Sequence, residues 1–440
     1  MSAPPVRDGT VVVADGRIAY VGPRAGAPAG ALAGDDHDLG DAVLLPGLVN
    51  AHTHLELTAF RGLLDGLPFR EWIVRLQGAK TAVMTRERYL ESARLGVAEG
   101  VRAGITTFAD TCDSGVALEA MRDAGVRGIM YQEVFSPSAD PARVAEAAAG
   151  LRAKLDALDP LADELRQLGI SPHAPYTVSD PLFALVARSG RPLAVHVAES
   201  EAEMLIVRDA AGPFADGLRA RGIDVAPRAR TPVELLERLG VLGARALLIH
   251  CVRVDDADRR AIAGAGAGVA HCPISNGRLG HGVAPVLEML DAGIAVGLGS
   301  DSMASNDRMH LLEEMRAAVI GQRVRALHHD ALSPRRALEL ATLGGARALG
   351  LDARIGSLEP GKDADLAAFA LPPGTSADAD PVAALVFALG GAAATMVTVA
   401  GTPLVWEGRP LRDDPGLPAR VAETATRLAR HLGGQATGRG

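Results

Sequence analysis

Imidazoles and carboxylates recur at the ends of short apolar runs in this sequence, and the first such run ends in two. His52 and His54 follow the stretch Ala42–Val49 as an HxH pair. On an extended strand residues i and i+2 share a face, so both ring nitrogens could reach one cation. An isolated HxH is weak evidence, because solvated and core histidines produce the same pattern. His196, which ends the run PLAVH, and Asp301, which ends IAVGLGSD, change that reading. Three imidazoles and one carboxylate brought to one point suit Zn2+ or Fe2+, with a position left for water.

Something must bring such distant residues together. Eight short apolar runs bounded by turn residues stand at Ala42–Val49, Ile105–Ala109, Gly128–Val134, Leu168–Ser171, Leu193–Val197, Ala246–Ile249, Ala267–Ala270 and Ile294–Leu298. Stretches with helical spacing separate them, among them Thr85–Ala103, Pro141–Leu158 and Pro232–Leu239. The alternation predicts an α/β fold, a (β/α)8 TIM-type barrel, whose chemistry gathers at the carboxyl ends of the strands. There stand His52/His54, Asp110, Glu133, His173, His196/Glu199, His250, His271 and Asp301. Scattered histidines would have no reason to keep that phase. Near the amino terminus TVVVADGRIAYV reads as a hairpin about Asp15-Gly16, and beyond Ala341 the sequence returns to short β segments. Together these predict a small β-sandwich. The expected division is 1–43 and 346–412 for the sandwich, 44–345 for the barrel, and 413–440 for a helix (Pro418–Leu432) and a mobile Gly-rich tail.

Composition narrows the partners. With 45 Lys and Arg against 53 Asp and Glu, the 440-residue chain carries −8, so no global field draws it to nucleic acid or an anionic membrane. A small-molecule substrate is expected, and assembly into a homo-oligomer is left open. Cys112, Cys251 and Cys272 form no CxxC, which predicts reduced thiols and a cytoplasmic location. Met1–Gly9 carry neither a charged n-region nor an apolar h-region, and no run approaches about 20 apolar residues, so neither export nor membrane insertion is expected.

The motifs PGLVNAHTHLE (46–56), AGITTFAD (103–110), PHAPYT (172–177), HVAESEAE (196–203), HCV (250–252), AHCPISN (270–276), LGSDSMASND (298–307) and IGSLEPGKDADL (355–366) resemble the amidohydrolase superfamily, in its deaminase and chlorohydrolase branch. That resemblance implies that His52, His54, His196 and Asp301 bind one divalent metal, that Glu199 and His250 are catalytic, and that His173 contacts substrate. Chemistry agrees. The metal would lower the pKa of water from about 15.7 toward 7. Asp301 could accept the water's proton, Glu199 could protonate the ring nitrogen beside the attacked carbon, and His250 could hydrogen-bond the hydroxide or the oxyanion. Trp72, in LPFREWI, is expected either to cap the pocket or to anchor a helix. His271 and Asn276 read as loop-shaping.

Two-metal members of the superfamily bridge their ions with a lysine or a glutamate. The three lysines, Lys80, Lys154 and Lys362, do not follow the fourth strand, which leaves Glu133 as the one candidate bridge and favours a single metal. The expectation is therefore hydrolytic deamination of a heterocyclic, purine-like small molecule, adenosine-like or aminodeoxyfutalosine-like. The alternative is cyclic amide hydrolysis or dechlorination at the same metal site. Adenosine-type members carry an acid after the Trp-containing helix, where this chain has GAKTAVMT (78–85). Residues 212–232 look like an enlarged loop, as in enzymes resembling aminodeoxyfutalosine deaminase. Only Met1–Pro4 precede the first β segment, where the family supplies another strand, so a misassigned start codon is a further expectation.

Overall fold

A computed structural model describes residues 4–28, 30–32, 34–243, 245–376 and 378–437. Its centre is a parallel sheet of nine strand segments, in the order 296–298, 268–271, 246–250, 193–197, 166–172, 127–134, 105–112, 48–54 and 301–302. The two ends of that order are neighbours in sequence. Val296–Leu298 pairs with Gly268–His271, and after Gly299 and Ser300 the chain pairs Asp301 and Ser302 with Thr53 and His54. The sheet thus curls until its last strand meets its first, a TIM-like arrangement. Strands 105–112, 127–134 and 193–197 are buried along their whole length, because helices cover the outside and side chains fill the inside. Thr85, Asp140 and Thr231 open the helices Arg86–Arg102, Pro141–Leu158 and Pro232–Arg238 by accepting from first-turn N–H groups.

One expected strand is two elements. Ala42–Pro46 joins an antiparallel sheet, whereas Leu48–His54 enters the parallel one. Gly47 makes the crossing possible, since a Cβ there would lie 2.2 Å from Thr106 Oγ1. The expected boundary after residue 43 therefore falls inside Ala42–Pro46.

The antiparallel sheet has five strands, in the order 409–410, 402–406, 396–399, 366–370 and 42–46. A separate hairpin pairs Gly9–Ala14 with Arg17–Pro23 through Asp15 (φ +50°) and Gly16 (φ +76°), the positive φ pair that such a turn requires. Ile18 of the hairpin is buried with Ala364, Leu366, Ala368 and Met396. Within the span expected to be all β, Pro381–Ala388 is a helix capped by Asp380; its unbroken apolar run carries no period by which to recognise it. The last helix is Leu417–Thr437, longer than expected, and packs Leu417, Val421, Leu428 and Leu432 into the cluster that holds Trp72 and Leu76. Residues 438–440, the end of the expected mobile tail, lie outside the described residues. Among the described residues no helix is long and apolar enough to cross a membrane.

At the amino end of the strands, opposite the histidines, Arg127 is buried and ties the parallel sheet to the segment 361–366. Its Nε lies 2.8 Å from Asp365 and its Nη2 2.8 Å from Asp363, which also accepts from Arg354 Nε at 3.0 Å.

Candidate active site

At the other end of the strands the expected ligands converge. His52 Nε2 is 3.2 Å and His54 Nε2 3.6 Å from Asp301 Oδ1, and His54 Nε2 is 3.3 Å from His196 Nε2. His250 joins them: its ligand atom and those of His52 and His196 lie within 4.8 Å of one another. The tautomer of His196 is fixed, because its Nδ1 faces the carbonyl oxygen of His173 at 3.0 Å and must carry the hydrogen. The Nε2 lone pair then points inward, and His54 Nδ1, 3.2 Å from Thr111 Oγ1, is placed likewise. Burial pushes the imidazoles of His52 and His196 down, and that of His54 to about 3, so all three are neutral. Burial alone would raise the Asp301 carboxyl, yet neighbouring His52 holds it well below the usual carboxylate range. Neither ring nitrogen of His52 has an aligned hydrogen-bond partner. Three neutral imidazoles whose nitrogens close on one ionised carboxylate are a donor set that suits a divalent cation.

Backbone strain sharpens the placement. Asp301 sits at φ +58° and His250 at φ +75°, a region that costs a bulky residue of order 1–3 kcal/mol. Ser275 Oγ, at 2.5 Å, and Ser305 Oγ, at 3.2 Å, both donate to Asp301 Oδ2, which leaves Oδ1 for the imidazoles. Gly299 is required just before it, since a Cβ there would lie 2.9 Å from His52 Cβ. Asn50 accepts from Ser300 N–H at 3.0 Å and donates to Ser300 Oγ at 2.7 Å, which closes the same seam.

The acid lies alongside. Glu199 Oε1 is 3.5 Å from His250 Nε2, and both side chains are buried. His250 Nδ1 faces Asn276 Oδ1 at 3.0 Å, so Asn276 orients a catalytic candidate as well as shaping its loop. The turn that delivers Glu199 is clamped by Glu203, whose Oε1 accepts from Ala198 N–H at 3.0 Å and Oε2 from Glu199 N–H at 2.8 Å. Burial pushes Glu203 up to about 8.

With this geometry in view, the profile of the amidohydrolase family matches residues 43–404. The chain belongs to the amidohydrolase family. It is 36% identical over 368 residues to a 5-methylthioadenosine/S-adenosylhomocysteine deaminase of Syntrophobacter fumaroxidans, with 81% of this chain and 79% of that one covered. Among solved structures it is similar to a zinc-bound adenosine deaminase from Xanthomonas campestris, with a TM-score of 0.80 and 29% identity, covering 97% of this chain and 94% of the other. The zinc complex of the atrazine chlorohydrolase from Arthrobacter aurescens also gives 0.80, at 25% identity, covering 96% and 95%.

This amidohydrolase surrounds the ligand cluster with further buried polar groups, of which Glu133 was singled out in the sequence and Glu56, Lys80 and His281 were not. Lys80 is buried with its Nζ 3.1 Å from Glu56 Oε1, and Ser114 N–H and Cys112 Sγ, each at 3.1 Å, donate to Glu56 Oε2. Burial would raise the Glu56 carboxyl, but Lys80 holds it at about 2; Lys80 is raised in turn. Glu133 stands near this pair, and its ligand atom lies within 4.8 Å of those of His173 and His196. Burial pushes its carboxyl up to about 8. Lys80 was legible in hindsight: helix Phe69–Val83 buries Trp72, Leu76, Ala79 and Lys80 as one stripe. His281, between Gly280 and Gly282, sat in no pattern, yet its Nε2 is 3.3 Å from Glu199 Oε1.

An aromatic wall closes the site from His281 round to His173. Phe69 meets the His281 ring edge-on at 4.5 Å and lies 6.0 Å from Phe214, which stacks on Tyr176 at 4.1 Å; Tyr176 is 5.9 Å from His173. Phe214 comes from helix Gly212–Arg219, part of the expected enlarged loop. His173 faces inward with its Nδ1 2.9 Å from Thr177 Oγ1. Trp72 stands one ring behind this wall, 6.2 Å from Phe69. Asp110 points away from the cluster and accepts from Leu55 N–H at 2.6 Å and Thr53 Oγ1 at 2.7 Å, which fixes the turn after His54.

Proposed function

We propose that this amidohydrolase hydrolytically deaminates an adenine-type nucleoside with one divalent ion held by His52, His54, His196 and Asp301. Glu199 carries the reading: a buried carboxyl three residues beyond His196 and 3.5 Å from His250 Nε2 is placed to pass a proton to a substrate nitrogen. The likeness to a methylthioadenosine and to an adenosine deaminase supports a purine. Three nitrogens and one oxygen favour zinc, with Fe2+ the second choice. When bound, the ion supplies Lewis acidity and hydroxide at neutral pH.

The chain's own groups then divide the protons. Asp301 would accept a proton from the attacking water, its carboxylate held in place by Ser275 and Ser305. His250, whose Nδ1 hydrogen is committed to Asn276, accepts a hydrogen bond through Nε2 from the hydroxide. Glu199 would protonate the ring nitrogen beside the amino-bearing carbon and recover a proton from the added hydroxyl as the carbonyl forms, while the proton taken by Asp301 leaves with ammonia. His173 holds the purine edge, and the aromatic wall excludes water, with Trp72 bracing Phe69. Glu133 serves the substrate side rather than a second ion, because the Lys80 cation beside it repels one.

The finer architecture follows the same reading. We take 296–302 as one interrupted strand, which makes an eight-stranded (β/α)8 barrel, and the hairpin with the five-stranded sheet as one small β-sandwich around Ile18. Ammonia release from methylthioadenosine, adenosine, aminodeoxyfutalosine, guanine, cytosine and a chlorotriazine tests the activity. Release from the adenine nucleosides alone supports it. Chloride release from the triazine with no ammonia from any nucleoside would replace it with the reading that the Arthrobacter structure favours.

A further inference from the structure

We propose that His281 is a positioning residue for the acid, an inference that rests on the assignment of Glu199 as proton carrier. Three observations converge on it. His281 Nε2 lies 3.3 Å from Glu199 Oε1, the same oxygen that His250 Nε2 approaches at 3.5 Å, so one carboxyl oxygen is flanked by two imidazoles. His281 is buried, and among the described residues its Nε2 has no aligned hydrogen-bond partner, so a polar atom sealed from water has Glu199 Oε1 as the acceptor within reach. The ring is also locked. Phe69 abuts it edge-on at 4.5 Å, Gly280 (φ +71°) and Gly282 (φ +108°) permit the tight turn, and its N–H donates to the Asn276 carbonyl at 2.9 Å.

Asn276 therefore serves both flanking rings, with its side chain on His250 Nδ1 and its carbonyl on the His281 backbone. The two imidazoles are not equivalent. His250 Nδ1 faces an amide oxygen and carries its hydrogen there, so in the neutral ring Nε2 accepts. Among the described residues no hydrogen bond reaches His281 Nδ1, so the neutral ring can place its hydrogen on Nε2 and turn it toward Glu199 Oε1. The His281 Nε2 hydrogen on Oε1 holds the carboxyl in a single rotamer and leaves Oε2 to carry the proton to the substrate ring nitrogen. A group placed this way acts on the proton transfer and not on substrate affinity.

The test uses the full-length, metal-loaded protein with methylthioadenosine as probe. His281→Ala is expected to lower kcat about 10- to 100-fold, the range for losing one hydrogen bond to a charged group, with KM changed less than about threefold. His281→Gln, whose amide N–H can stand near the lost Nε2, should recover most of that loss. In the Glu199→Gln background, His281→Ala should cost no further activity, because the two residues act as one unit. Metal content and melting temperature should stay at the wild-type values. A raised KM at unchanged kcat would make His281 a substrate contact, and a full additional loss in the Glu199→Gln background would place its action elsewhere; either overturns the proposal. One measurement does not depend on the substrate: the His281 ring 15N resonances should shift on Glu199→Gln. Unchanged resonances overturn the contact even if the wild-type protein deaminates nothing in the panel, a result that would refute the activity separately.

Discussion

Two buried polar clusters lie at opposite ends of the same parallel strands, and they are built on opposite rules. At the amino end, Arg127 meets Asp363 and Asp365 at 2.8 Å and Arg354 supplies a second guanidinium, so charge and hydrogen bonds are answered within the chain. At the carboxyl end, among the described residues, neither nitrogen of His52 and not the Nε2 of His281 has an aligned partner, and the Nε2 atoms of His54 and His196 stand 3.3 Å apart. A satisfied cluster contributes stability and joins two sheets. An unsatisfied one holds its groups ready for something that is not protein. Burial alone does not separate structure from function here; the accounting of partners does.

Substitutions should split the two ends. The largest effect belongs to the ligands. His196→Asn should lose the metal and cut ammonia release by at least about 10⁴-fold, the upper range for losing a single proton carrier. Elemental analysis with single-turnover assays reads this, and full metal occupancy in the variant would remove His196 from the donor set. Glu199→Gln should keep both metal and fold while kcat falls about 10²- to 10⁴-fold with a smaller change in KM. Near-normal turnover would show that another group carries the proton.

At the amino end the order reverses. Arg127→Met leaves buried Asp365 without its cation and Asp363 with Arg354 alone, and should cost about 3–5 kcal/mol of stability, with kcat per folded, metal-loaded molecule unchanged. Denaturation and active-site titration together check this, and a loss of kcat at full folding would breach the division between the two ends.

Glu314 supplies the smallest and subtlest test. It is fully buried beneath the mouth, accepts from Ile274 N–H and Asn306, and burial pushes it up to about 8. The folded protein therefore binds this proton more tightly than the unfolded chain. Its contribution to stability is complete below the unfolded value near 4.5 and is lost as pH rises through about 8. Between those values wild type should lose up to about 1.4 kcal/mol per pH unit relative to Glu314→Gln. Parallel melting-temperature profiles for the two proteins would show that Glu314 titrates normally.

How much of this could be read from sequence depended on whether a residue's role was periodic. The strand ends were legible because apolar runs of fixed length stop at the same depth, so His52, His54, His196, His250 and Asp301 share a phase before any fold is known. Ala42–Val49 was misread as a single strand because an apolar run does not reveal a change of sheet; only the contact between Gly47 and Thr106 does. Lys80 was weighed only as a metal-bridging lysine and set aside because it does not follow the fourth strand, although it falls on the buried stripe of Trp72 and Leu76. His281 was beyond reach, since its place depends on a glycine turn and on Phe69, 212 positions earlier in the numbering. The GKDADL motif was recognised by resemblance alone, and its physical meaning, two aspartates for Arg127, emerged only in three dimensions.

The seam at residues 298–302 has a consequence for how the enzyme is born. His52 and Asn50 leave the ribosome early, but their partners Asp301 and Ser300 come about 250 residues later. At about 5–20 residues per second, the two histidines of the HxH pair wait about 12–50 s for the carboxylate that completes their site. During that interval the nascent chain presents bare imidazoles and no finished cage. With the ion held by the donor set proposed above, metal acquisition would be a late event in synthesis, and chains arrested before residue 300 should retain no ion through gel filtration while those released at full length do.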